Sequence, residues 1–94
     1  MTPIRYRDRD CLSLRQVDQL NGLPKGSAFR CFKRLREHLV EGEDFFLLEA
    51  AVAADFIERL RRDGLIYAST VNVVLLTERG YQRLRQGREP EGAG

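Results

Sequence analysis

Positively charged side chains gather in one short stretch of this sequence, and their chemistry suits an anionic partner. Residues 25–36 hold five cations and no acidic residue. A guanidinium group can make two parallel hydrogen bonds to a phosphate or to the edge of guanine. A hydroxyl or a backbone amide at the start of a helix can also bind phosphate. The candidate DNA-binding residues are therefore Lys25, Ser27, Arg30, Lys33, Arg34 and Arg36.

Residues that could support catalysis or bind a metal are few and scattered. Cys11, Cys31 and His38 form no CxxC or HxxxH pair, whereas a structural zinc site needs about four ligands. The serines have no GxSxG turn and no legible acid-base partner. We therefore expect no metal, no cofactor, no small-molecule substrate and no enzymatic activity, and we expect both cysteines to remain reduced in the cytoplasm.

Length and composition indicate one small domain. The chain has 94 residues, of which 43% are hydrophobic and 32% charged, and its formal net charge is +2. Charge is segregated, because residues 37–58 hold seven acidic residues and neither Lys nor Arg. The longest uncharged run, residues 65–77, is shorter than the ~20 apolar residues of a membrane-spanning helix. We expect a globular protein in the cytoplasm with no membrane association.

Two helices would position the basic residues. Ser13 is predicted to cap the N-terminus of a first short helix, which Asn21 and Gly22 would end. After a turn, Ser27 is predicted to cap a second helix that runs to about His38. Its apolar face would comprise Ala28, Phe32, Leu35 and Leu39, with Phe29 at the rim of the core. Its opposite face would be basic.

The rest of the chain predicts a wing and three further elements. They are a β-hairpin over residues 39–48 with an acidic turn, a helix over residues 49–62, a mostly buried strand within residues 65–76, and a last helix over residues 78–86 capped by Thr77. Residues 1–10 would be an N-terminal arm or a weak edge strand, and residues 87–94 a disordered tail. The predicted fold class is α+β: a small winged helix-turn-helix domain over residues 11–86, with three to four short helices, a β-hairpin wing and an additional strand.

Several motifs resemble known families. LSLRQVDQLNGLPKGSAFRCFKRL resembles the helix-turn-helix start of winged-helix proteins related to mercury-resistance regulators and excisionases. LVEGEDFFLL followed by VVLLTERGYQRL is similar to the paired signatures of phage antirepressor N-terminal domains. The resemblance implies a small DNA-binding module of phage or mobile-element type. The acidic turn departs from wings that bring a basic residue to the DNA backbone.

The expected function is sequence-specific binding of double-stranded DNA by a transcriptional regulator or antirepressor. Two alternatives stay open: an adaptor that binds proteins through its acidic and basic faces, and a recombination-accessory protein of the excisionase type. Small helix-turn-helix proteins commonly bind symmetric half-sites as dimers. A homodimer is therefore possible, and the third helix or the strand within residues 65–76 would supply its surface.

Overall fold

A four-stranded antiparallel sheet forms the centre of the fold. The computed structural model describes residues 2–88, with Arg88 described by its backbone alone. Its elements are β1 (Ile4–Tyr6), β2 (Arg9–Ser13), α1 (Leu14–Leu20), α2 (Ser27–Leu35), a short 3-10 helix (Arg36–His38), β3 (Phe45–Leu48), α3 (Ala54–Arg62), β4 (Val73–Leu76) and α4 (Glu78–Arg88). The strands lie in the order β1-β2-β4-β3. The predicted α+β class is confirmed.

Strand β4 separates two hydrophobic clusters. Successive side chains of a strand point to opposite faces of the sheet. Accordingly, Val73 and Leu75 join the cluster that contains Ile57 of α3, whereas Val74 and Leu76 join the cluster built from α1, α2 and α4. All four residues of β4 are buried and both edges of the strand are paired. Residues 73–76 therefore offer no surface to a second copy, whereas α3 and residues 65–72 stay the candidates for the predicted homodimer surface.

Residues 2–10 are more ordered than an arm. Strands β1 and β2 pair as a hairpin, and its turn residues Arg7 and Asp8 have φ values of 50° and 63°. Ile4 is buried in the core. Of the two expectations for this region, the edge strand is the one found, because β1 lies at one end of the sheet order.

The first helix begins where the sequence predicts. Ser13 accepts a hydrogen bond from the backbone amide of Gln16 at 3.1 Å, and the Gln16 side chain accepts one from the Ser13 amide at 2.9 Å. This reciprocal pair satisfies two amides that the helix itself leaves without partners. The predicted N-cap at Ser13 is confirmed.

The predicted wing hairpin is wrong. Residues 39 and 40 are not in a strand, and β3 pairs instead with β4, whose Leu76 lies opposite Phe45. The connection between β3 and β4 spans residues 49–72 and includes α3. The four-residue apolar strand β4 offers more burial than the two-residue run at residues 39 and 40, so the non-local pairing prevails over the local one.

Two predicted boundaries also change. Helix α3 begins at Ala54 rather than Glu49, because the Glu49 carbonyl accepts hydrogen bonds from the amides of Val52 and Ala53 and closes a turn there. Helix α4 continues through Gly87, into the predicted tail. A Cβ atom at Gly87 would lie 2.2 Å from Leu35 Cδ1, so glycine lets α4 pass close to α2. The remaining tail residues, 89–94, lie outside the described residues.

Candidate nucleic-acid interface

A buried carboxylate in α1 fixes the start of α2. Asp18 accepts hydrogen bonds from the backbone amides of Gly26 at 3.0 Å and Ala28 at 2.8 Å. The N-cap residue is Gly26, with φ of 89°, so the prediction that Ser27 caps this helix is wrong. The Ser27 hydroxyl donates instead to the Pro24 carbonyl at 2.8 Å. Asp18 lies eight and ten positions before the two residues whose amides donate to it. Its side chain thus holds α1 and the start of α2 together.

This arrangement limits how the helix start can bind an anion. The amides of Gly26 and Ala28 donate to Asp18, and the Ser27 amide donates to the Pro24 carbonyl at 3.1 Å. These three donors already have partners, so backbone capture of a phosphate at this point, one of the sequence-based expectations, is not favoured. Side chains must therefore make any contact with phosphate at the start of α2.

Tyr67 joins the same network from the segment before β4. Its hydroxyl donates to Asp18 at 2.5 Å. Burial and the hydrogen bond to the Asp18 carboxylate raise the pKa of Tyr67 to about 12, because both oppose formation of a phenolate. The Tyr67 ring lies 5.1 Å from Lys25 Nζ and 5.8 Å from the Arg15 guanidinium carbon. Tyr67 therefore holds the segment before β4 against α1 and the α1–α2 turn, beside Arg15 and Lys25.

Helix α2 has one face in the core and the other in solvent. Its buried residues are Ala28, Cys31 and Phe32, and the Phe32 ring packs edge to face on Phe45 at 5.1 Å between centroids. Arg30 and Lys33 are exposed on the opposite face. The hydrophobic spacing predicted from the sequence thus gives the observed orientation of the helix.

The six candidate residues divide into two groups. Lys25, Ser27, Arg30 and Lys33 belong to the turn and the outer face of α2, where Arg30 Nη2 lies 3.5 Å from Ser27 Oγ. Lys33 Nζ lies 5.3 Å from the centroid of the Phe29 ring. These contacts are weak and at the surface, so they leave the charges available to a partner.

Arg34 and Arg36 have structural contacts. Arg34 donates to the Gly87 carbonyl at 2.8 Å and to Cys31 Sγ at 3.7 Å, which ties α2 to the end of α4. The Arg36 guanidinium lies over the Phe45 ring, 4.6 Å from its centroid. We assign these two arginines a smaller share of any binding surface.

Sequence reasoning missed a groove beside the start of α2. The groove has a volume of about 330 Å³ and is lined by Arg15, Lys25, Phe29, Tyr67 and Val71, among others. Phe29, expected at the rim of the core, is 48% exposed, and Val71, expected in a buried strand, is 64% exposed. No local signal marks this site, because it forms only when residues 65–72 pack next to α2.

The acidic turn has a structural role that the sequence did not reveal. Asp44 is fully buried; its Oδ2 accepts from the Val40 amide at 2.8 Å, and its Oδ1 lies 3.1 Å from Arg79 Nε and 3.4 Å from Arg83 Nε. Oδ1 makes no hydrogen bond of good geometry, so its contacts with the arginines are mainly electrostatic. The turn is therefore docked on α4 and is not a free wing tip.

The motifs LVEGEDFFLL and VVLLTERGYQRL, which contain β3 and β4, contact each other here. Thr77 caps α4 by accepting from the Gly80 amide at 3.1 Å, which confirms the predicted cap. The same hydroxyl lies 2.7 Å from the Glu43 carbonyl, to which it donates. A Cβ atom at Gly80 would lie 1.8 Å from the Asp44 carbonyl oxygen, so the docking requires glycine.

The two thiols lie in different parts of the core. Cys11 belongs to the cluster under α3 and Cys31 to the cluster of α1, α2 and α4, and both are free. Burial raises the pKa of the Cys11 thiol. Among residues 2–88, no three His, Cys, Asp or Glu side chains gather as metal ligands would. The same part of the chain contains no helix long and apolar enough to cross a bilayer.

No protein-family model matches the chain, and no match was found among curated proteins or solved structures.

Proposed function

We propose that this protein binds double-stranded DNA in a sequence-specific manner, with α2 as the reading helix of a winged helix-turn-helix domain. The observation that carries the proposal is the outer face of α2. Arg30 and Lys33 are exposed there, Lys25 precedes the helix, and no acidic residue occurs within residues 25–36. The major groove of DNA admits one α-helix whose opposite face is held by the protein core.

The residues divide by role. Arg30 and Lys33 are placed to contact base edges, and Arg30 can make a bidentate contact with guanine. Lys25 and Ser27, at the turn, are placed to contact phosphate oxygens. Arg34 and Arg36 hold α2 against its neighbours and add positive potential beside it.

The order of the strands supports a winged helix-turn-helix architecture in which the connection between the two wing strands is longer than a hairpin turn. The two strands that follow α2 are neighbours in the sheet and antiparallel, as in a wing hairpin. We propose that their connection, residues 49–72, acts in place of the wing; its part at residues 65–72 carries no charged side chain. That uncharged part lines the groove at the start of α2. It imposes no charge repulsion on DNA, in contrast to the acidic turn.

Selection of bound sequences from random duplex DNA, followed by titration of the selected duplex over a range of salt concentrations, tests this function. We expect an affinity that falls linearly on logarithmic axes as salt rises, because phosphate contacts release counterions. A protein adaptor, the alternative from another class, would bind no duplex even at low salt. Regulator, antirepressor and recombination-accessory roles all begin with this same DNA contact.

A further inference from the structure

Phe29 exposes a large apolar surface on the helix face that carries the cations. It is the third residue of α2 and retains 48% of its accessible surface. Exposing an aromatic ring to water costs free energy that burial would recover. The first turn of a reading helix is also the part that contacts base edges in helix-turn-helix proteins. The position of Phe29 thus suits a contact that forms only when a partner is bound.

The surroundings of Phe29 identify the chemistry of that partner. Val71, 64% exposed, lines the same groove, and together the two side chains offer an apolar patch. Lys25 and Arg15 line the groove as well, and Lys33 Nζ lies 5.3 Å from the Phe29 ring. An apolar patch ringed by cations fits a polyanion that carries an apolar group.

We infer that Phe29 contacts the C5-methyl group of a thymine in the major groove, an inference that rests on the proposed function. The thymine methyl is an apolar group on a base edge in the major groove, and phenylalanine is among the side chains that contact it. Lys25 then neutralises a phosphate beside the contacted base, and Lys33 contacts a neighbouring base edge. Phe29 is accordingly a specificity-determining residue that makes the protein prefer thymine at one position.

Replacement of thymine by deoxyuridine tests the contact, because it removes the methyl group and keeps base pairing. Each thymine of the selected duplex is replaced in turn, and affinity is measured for the wild type and for Phe29→Ala. We expect the wild type to bind about fourfold more weakly when the contacted thymine loses its methyl, the equivalent of one buried carbon. Phe29→Ala should bind the thymine and uracil duplexes equally well at that position.

Two further variants serve as controls. Val52→Ala removes an apolar side chain that is 82% exposed and does not line the groove, so it should keep the wild-type sensitivity to uracil. Phe29→Leu keeps an apolar contact and should retain part of the loss of affinity that uracil causes. It tests the contact even if Phe29→Ala folds poorly. Circular dichroism checks the fold of each variant.

The possible failures are distinguishable. If the wild type binds the selected duplex but no uracil replacement weakens binding, or if Phe29→Ala keeps the same sensitivity, the thymine contact is refuted while DNA binding stands. In that case a protein partner becomes the better occupant of the patch. If the wild type binds no duplex, the proposed function and this inference fail together.

Discussion

The basic helix α2 and the acidic turn at residues 41–44 are neighbours in sequence but use their charges differently. In the turn, Asp44 is buried against Arg79 and Arg83, and the Glu43 side chain pairs with Arg79 at 3.0 Å. On α2, Arg30 and Lys33 have no ion pair among the described residues. Whether a cluster of charges in a sequence is structural or available to a partner therefore depends on what the fold packs against it.

Breaking the acidic turn should have the largest effect on stability. Gly80→Ala places a Cβ atom 1.8 Å from the Asp44 carbonyl oxygen, which belongs to the backbone and cannot rotate away. We expect the free energy of unfolding to fall by about 3 kcal/mol, the upper range for overpacking. Urea denaturation measures this. Gly22→Ala is the control, because its Cβ would meet no atom within 4 Å and only its φ of 62° opposes the change. Equal losses of unfolding free energy in the two variants would contradict the docking of the acidic turn on α4.

Removing the Asp18 carboxylate, which anchors the basic helix α2, should lower the free energy of unfolding nearly as much. Asp18→Ala leaves the amides of Gly26 and Ala28 and the hydroxyl of Tyr67 without their acceptor. We expect a loss of about 2–3 kcal/mol in unfolding free energy, since unsatisfied buried donors are costly. DNA affinity should also fall, because the start of α2 is no longer fixed. The exposed Asp63→Ala is the matched control, and a similar loss there would argue against a special role for Asp18.

The Tyr67 contact predicts a pH dependence. The pKa of Tyr67 is raised from 10.0 to about 12 by folding, so the folded state favours the protonated phenol. Its stabilising contribution is complete below pH 10 and should be lost as pH rises from about 10 to about 12. Stability measured through this window should decline less steeply for Tyr67→Phe, which has no proton to lose. Identical slopes in the two proteins would show that Tyr67 does not contribute.

Removing a charge from the surface of the acidic turn should have the smallest effect on stability. Glu43 and Arg79 are 56% and 53% exposed, so Glu43→Gln should change stability by about 0.5 kcal/mol or less. Because this turn is docked on α4, we also expect DNA affinity to change less than twofold. A gain of tenfold in affinity would instead place the turn next to the DNA backbone.

Local rules predicted the parts of this fold that depend on neighbours in sequence. Ser13 and Thr77 cap helices as expected, because a side chain and an amide three residues later are close in any helix start. Ser27 fails as a cap because the helix has its N-cap one residue earlier, at Gly26, where Asp18 on another helix accepts from the amides of Gly26 and Ala28.

The wing and the groove depend on distant contacts. Strand β3 has its partner beyond α3, and the local hairpin pattern around Gly42 could not reveal that choice. The exposure of Phe29 and Val71 likewise follows from the packing of residues 65–72 beside α2. Of the candidate site, the sequence predicted the basic face of α2, but it gave no means to distinguish Arg34 and Arg36, which contact Gly87 and Phe45, from Arg30 and Lys33.

The most direct test of the basic helix as the DNA-reading surface compares two double variants that remove the same charge. Arg30→Ala with Lys33→Ala alters the outer face of α2, and Arg59→Ala with Arg62→Ala alters exposed residues of α3, which packs on the other side of the sheet. Affinity for the selected duplex is measured at one salt concentration. We predict a loss of about 3 kcal/mol for the α2 variant and less than about 1 kcal/mol for the α3 variant, with both proteins folded. Equal losses in the two variants, or an unchanged affinity in the α2 variant, would contradict the assignment of α2 as the reading helix.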